Sequence, residues 1–184
     1  MIFYLFLALL VSFLCSIMES VLLTTPQVYL IVKSKKGSKT ADRLMKLKHK
    51  IDRPLSAILS LNTIAHTVGA AGVGAQATLV FGEVYFGLIS AILTLMILIF
   101  SEIIPKTIGA RYWRQLALFV GKAVEVTIVI TYPLVLISAL FSRLFSSDRK
   151  DKTTSREELS ALARIGREEG VFGEKENKII QNIL

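Results

Sequence analysis

Residues 97–107 read Ile-Leu-Ile-Phe-Ser-Glu-Ile-Ile-Pro-Lys-Thr. They close an apolar run that opens near Val84 and is long enough to span a membrane. Glu102 lies within about four residues of the end of that run. An ionisable group at such depth is costly, so it faces a protein interior, a water-filled cavity or an ion. Pro105 lacks the N–H that would bond the carbonyl of Ser101, which leaves an acceptor beside the carboxylate. Carbonyl, hydroxyl and carboxylate then form a cluster of hard oxygen donors. A plainer reading makes Glu102 an interfacial residue paired with Lys106 near headgroup level. The stretch alone allows both.

The surrounding composition fits a membrane setting. Of 184 residues 53% are hydrophobic, and the mean hydropathy is +0.58, values typical of integral membrane proteins. A net charge of +8 raises the question of nucleic acid. The lysines and arginines, however, cluster beside apolar runs, where they mark cytoplasmic loops and contact anionic lipid; no nucleic-acid partner is expected. The single cysteine, Cys15, falls inside the first apolar run, so it forms no intrachain disulfide and is read as packing material. Two histidines, His49 and His66, are too few for a histidine metal site, and no zinc-type spacing exists.

Three runs read as transmembrane helices: 2–24, 54–80 and 84–105. In the first, Ser12, Ser16 and Glu19 share one helical stripe that lipid would not solvate. Pro26 ends it, and the basic residues between Lys33 and Arg53 make the next loop cytoplasmic, with the N-terminus outside. Within that loop, 41–51 reads as a helix on the membrane surface. The second span carries Asn62, His66 and Gln76, and its glycines Gly69, Gly72 and Gly74 permit close approach at a bundle or dimer seam and bare backbone carbonyls. A fourth apolar run, 115–144, contains Lys122, Glu125 and Pro133 and has basic residues at both ends. It is expected to be a bent belt in the cytoplasmic leaflet that does not cross.

From residue 146 the composition becomes that of a soluble segment. Ser155 and Glu158 read as a capping box, and helical patterns over 157–169 and 174–184 carry apolar faces that need a partner. The second pattern continues to the last residue, so this bundle is expected to be truncated. The fold class is thus all-α: a multi-pass cell-membrane protein with a transmembrane domain over 1–145 (three transmembrane helices and the belt) and a cytoplasmic C-terminal helical pair over 146–184. The glycine-rich span and the unpartnered faces together predict a homodimer.

Three signals in order, Ser12-(x)3-Ser16-(x)2-Glu19, Leu61-Asn62-Thr63 and Phe100-Ser-Glu-Ile-Ile-Pro-Lys106, resemble the transmembrane domain of the cyclin M/CorC family of magnesium transport proteins. The tail from Glu168 through Leu184 resembles the acidic helical bundle that precedes the paired CBS domains of that family. Two positions depart from the pattern: Ser101 stands where the family usually has Gly, and His66 where it commonly has a second Asn. The resemblance implies Mg2+ transport in the direction of export, with Na+ as exchange ion. Nucleotide binding belongs to the CBS pair, which these residues lack.

Mg2+ takes oxygen ligands in near-octahedral geometry. The expected ligands are Ser12, Ser16, Asn62 and Glu102, joined by the carbonyl of Gly69 and the carboxylate of Glu19. Counting about 1.5 Å per residue from the inner ends of the runs puts Ser16 and Asn62 about 12 Å deep, Ser12 about 18 Å and Glu102 about 6 Å, all accessible from the cytoplasm. A divalent-cation sensor or regulatory scaffold that binds without transporting is the alternative. No enzyme is expected: a hydrolase would need Ser16 and His66 in reach, but their depths differ by about a helical turn or more, and no Gly-x-Ser-x-Gly elbow exists.

Overall fold

The computed structural model describes residues 1–145 together with 160–161. The chain divides into a unit Met1–Arg143 and a unit Leu144–Leu184. The second unit, where the acidic helical pair is expected, lies outside the described residues except for four helical positions, 144–145 and 160–161.

Helices account for most of the described residues, and no strand occurs among them. In chain order they are α1 (Ile2–Thr24), α2 (Gln27–Lys35), α3 (Lys39–His49), α4 (Asp52–Phe81), α5 (Phe86–Met96), α6 (Ile104–Arg111), α7 (Trp113–Ile130) and α8 (Tyr132–Phe145). A 3-10 turn, Glu83–Tyr85, precedes α5, and a π-helical segment, Ile97–Ile103, joins α5 to α6. Three helical stretches are long and apolar enough to cross a membrane: Ile2–Thr24, Asp52–Phe81 and the composite Glu83–Arg111.

α1 is the hub, packing against α4, α6, the π segment and α7. Ala8, Ser12, Cys15, Ser16 and Leu22 recur at helical spacing along its buried face. The composite third helix packs against it mainly in its second half, where Ser101, Pro105 and Gly109, four residues apart, are all buried. A Cβ built on Gly109 would sit 2.8 Å from Ser20 Cβ and 3.1 Å from the Ile17 carbonyl, so α6 seats against α1 only because that position has no side chain. Close approach of this kind replaces the hydrophobic effect as the source of helix association in lipid.

The loop between α1 and α4 is folded into the α2–α3 hairpin. Ser38 caps α3 by accepting from Ala41 N–H, and the Ser34 hydroxyl donates to the Asp42 carboxylate. Lys48 reaches back to the carbonyls of Leu23 and Thr25, answering orphan acceptors at the end of α1 with a positive charge. Burial there pushes its ammonium below the usual lysine value.

The fourth apolar run is two helices, α7 and α8, broken at Thr131. Pro133 is the second residue of α8, where a missing N–H is tolerated, so the chain bends just before the proline. Along α7, Trp113 stacks edge-on against Tyr29 at 5.0 Å, and Tyr29 donates to the Arg114 carbonyl at 3.1 Å. Further on, Gly121 faces Leu44, and Glu125 pairs with Arg43 at 3.3 Å. The first two-thirds of α7 therefore lie along the hairpin, and the helix also packs against α1 and α4. One core cluster joins them, with Val21 and Leu22 from α1, Leu30 from α2, Leu44 from α3, Ile58 from α4 and Val120 and Val124 from α7.

Candidate cation site

Asn62 and His66, four apart on α4, present one face to α1. Ser12 Oγ donates to Asn62 Oδ1 at 2.6 Å and lies 2.5 Å from His66 Nε2. Asn62 Nδ2 donates to Glu102 Oε1 at 3.0 Å, tying α4 to the π segment. An ionised carboxylate only accepts, so the amide nitrogen must face Glu102 and the amide oxygen Ser12. Glu102 Oε2 lies 2.8 Å from Lys106 Nζ, and the same ammonium is 3.1 Å from Glu19 Oε2. Ser20 secures this residue from the other side, its hydroxyl donating to the Lys106 carbonyl at 2.7 Å.

The result is one continuous polar chain from His66 to Glu19 across all three candidate spans. It runs from dry to wet: Ser12 is fully buried, while the Glu19, Glu102 and Lys106 side chains are 18%, 24% and 44% exposed. Both sequence readings of Glu102 are present in it, since the carboxylate pairs with Lys106 and also accepts from the buried amide.

Two hydroxyls beside this chain stand apart. Ser16 on α1 and Ser101 in the π segment are buried, and neither oxygen has a hydrogen-bond partner. A buried hydroxyl without a partner costs about 1–3 kcal/mol, so two of them on helices that pack together call for a reason. Of the expected ligands, Ser12, Asn62 and Glu102 are bonded together, Glu19 joins through Lys106, and Ser16 is one of the two orphans. Gly69 is elsewhere: it meets α1 at Ala8, a turn beyond Ser12, where an added Cβ would come within 2.2 Å of Ala8 Cβ.

The depths also differ from expectation. The third helix runs on to Arg111 and α4 begins at Asp52, so Ser12, Asn62 and Glu102 lie 12, 10 and 9 residues from their helix ends. These counts correspond to about 18, 15 and 14 Å, which is why Ser12, not Ser16, meets Asn62. The π geometry was not foreseen. Ile104 N–H bonds the Ile99 carbonyl five residues back, and the wider turn lets the successive residues Ser101 and Glu102 both face the bundle, Ser101 buried and Glu102 bonded to Asn62. Pro105 just downstream is the signal that pointed to an irregular ladder here. The link from Lys106 to Glu19 had no local signal, because it joins residues on separate spans.

Among the described residues no group of three or more His, Cys, Asp or Glu is placed to hold a metal. The donors gathered here are mainly hydroxyl and amide oxygens with one or two carboxylates, a hard set suited to a cation that prefers oxygen.

Comparison with known proteins places the chain in a family. The model of the cyclin M transmembrane N-terminal domain matches residues 2–176. A UPF0053 protein of Synechocystis is 35% identical over 97% of this chain and 52% of its own length. A UPF0053 protein of Haemophilus influenzae is 28% identical over 78% of this chain and 36% of its own. A protein of the same organism named as a polyamine export protein is 33% identical over 50% of this chain and 23% of its own. The chain thus spans about half the length of the Synechocystis relative and less of the others. With the family model covering nearly all of its residues, the chain belongs to the cyclin M transmembrane domain family.

Proposed function

We propose that this chain is the membrane part of a transporter that moves Mg2+ through the site around Ser12, Asn62 and Glu102. The observation that carries the proposal is the pair of unpartnered buried hydroxyls, Ser16 and Ser101, beside the Ser12–Asn62–Glu102 chain. Oxygen lone pairs with no protein partner, next to a carboxylate, are what a dehydrated hard cation requires. Export, exchange against Na+, and an N-terminus outside with the basic hairpin in the cytoplasm belong to the same reading. So does a second copy of the chain. Gly69 and Gly72 are already filled by Ala8 and Tyr4 of their own chain, while Thr63 and Thr67 leave hydroxyls exposed on a membrane-length helix.

A second reading has an observation of its own. The cation between Glu19 and Glu102 is a primary ammonium, that of Lys106, so the same carboxylates suit the end of an aliphatic amine. The relative named as a polyamine export protein makes that substrate class the competitor to test.

Purified protein sealed into vesicles with a Mg2+-sensitive dye tests transport directly. Wild type is expected to carry Mg2+, and Glu102→Gln is expected to lose both flux and Mg2+-dependent thermal stabilisation while folding at least as well, since burying an amide costs less than burying a carboxylate. Stabilisation without flux in wild type would identify a sensor instead. Flux of spermidine but not Mg2+ would favour the amine. Equal Mg2+ stabilisation of wild type and Glu102→Gln would remove Glu102 from the site.

A further inference from the structure

The function proposed above uses only oxygen donors, yet the end of the polar chain opposite Glu19 is a nitrogen. His66 Nε2 lies 2.5 Å from Ser12 Oγ, with Asn62 on the same oxygen at 2.6 Å. The imidazole is therefore aimed at the group that begins the site, not at lipid or at a backbone carbonyl. We propose that His66 Nε2 is a ligand of the transported cation, and that it tilts the site from Mg2+ toward borderline divalent cations, Mn2+, Co2+ and Ni2+. This rests on the cation site proposed above and specifies its substrate class.

The donor inventory sets what the assignment requires. Ser12 has one hydroxyl proton, and it is committed to Asn62 Oδ1, because Asn62 Nδ2 faces Glu102. In the empty site His66 Nε2 must then supply the proton of its own bond to Ser12. When a cation takes the lone pairs of Ser12 and Asn62, that arrangement dissolves, because neither oxygen any longer accepts from its neighbour. A neutral imidazole with its proton on Nδ1 then presents a bare Nε2 to the ion, beside the Ser12 oxygen it previously bonded.

Imidazole changes which ion is favoured. Mg2+ strongly prefers oxygen and gains little from nitrogen, whereas first-row divalent metals bind nitrogen increasingly well from Mn2+ to Ni2+. One imidazole among hydroxyl, amide and carboxylate oxygens is a mixed donor set suited to six-coordinate ions. It is not a zinc site, since among the described residues no cluster of three His, Cys, Asp or Glu exists.

Two measurements on the whole chain in detergent test this. In the first, thermal stabilisation is titrated with Mg2+, Mn2+, Co2+ and Ni2+ separately, for wild type, His66→Asn and Glu102→Gln. Wild type is expected to respond to Ni2+ and Co2+ at concentrations at least about tenfold below those for Mg2+. His66→Asn should cut that preference several-fold and keep its Mg2+ response. An unchanged Ni2+-to-Mg2+ ratio in His66→Asn, with Glu102→Gln unresponsive to every ion, overturns the role of His66 and leaves the site standing. Full response of Glu102→Gln to all four ions overturns the site itself.

The second measurement does not depend on the folding of His66→Asn. The only other histidine, His49, lies in the α2–α3 hairpin, so His49→Gln leaves one imidazole in the chain. Electron spin-echo modulation from Mn2+ bound to that variant should show directly coupled imidazole nitrogen. Bound Mn2+ without nitrogen modulation overturns the proposal.

Discussion

Six threonine hydroxyls on these helices donate to a backbone carbonyl four residues back, among them Thr25, Thr78, Thr107 and Thr131. That is the usual way a hydroxyl is satisfied where water is absent. Ser16 and Ser101 are equally able to make that bond and do not, which separates a packing hydroxyl from one held ready for something else. Ser16→Ala should therefore raise the thermal stability of the ion-free protein, by about 1–3 kcal/mol if the whole cost of the orphan is recovered, and should weaken stabilisation by Mg2+. Unfolding curves with and without Mg2+ read both effects, and a stability gain with an unchanged Mg2+ response would make Ser16 a bystander. The serine stripe and Glu102 were legible in the sequence because polar atoms in an apolar run stand out against their neighbours. The link from Lys106 to Glu19 was not, because that pairing depends on how α1 and α6 dock.

Among the glycines, what lies opposite decides the role. Gly69 faces Ala8 with no room for a methyl group, whereas Gly87 in α5 has no atom within 4 Å of the Cβ it lacks. Gly69→Ala should separate α1 from α4 and lower stability by about 1–3 kcal/mol. Gly87→Ala should leave stability equal or raise it by at most about 1 kcal/mol, because alanine is the better helix former. Parallel unfolding of the two variants checks this, and similar losses in both would mean that the seam tolerates a methyl group. The existence of the three long helices could be read from composition, since a membrane span is a length of apolar chain. Their ends were less legible: the expected 84–105 runs on to Arg111, and the expected 41–51 is Lys39–His49. α2 was not expected at all, for its nine residues have no strong pattern and are held by burial of Leu30 and the stacking of Tyr29 on Trp113.

For the molecule as a whole, the question is how often the chain crosses. The charges flanking the run 115–144 predicted that it does not, and Glu125 in the middle of that run pairs with Arg43 of the loop that joins α1 to α4. With Cys15 replaced by Ala and one new cysteine at a time, Lys35→Cys and Lys152→Cys should be protected from an impermeant thiol reagent in intact cells, and Glu83→Cys should be labelled. Labelling of Lys152→Cys but not Lys35→Cys would require a fourth crossing. The clamp on Lys106 has a further consequence at this scale. With all three groups ionised, Glu19, Glu102 and Lys106 give the empty site one net negative charge, and a bound divalent cation changes this to one net positive charge. Membrane voltage acts on a unit charge with about 2.3 kcal/mol per 100 mV of field crossed. In the proposed exchange, return with one Na+ would leave the site neutral and put the voltage dependence on the Mg2+-loaded half-step, whereas an empty return would divide the electrical work equally between the two.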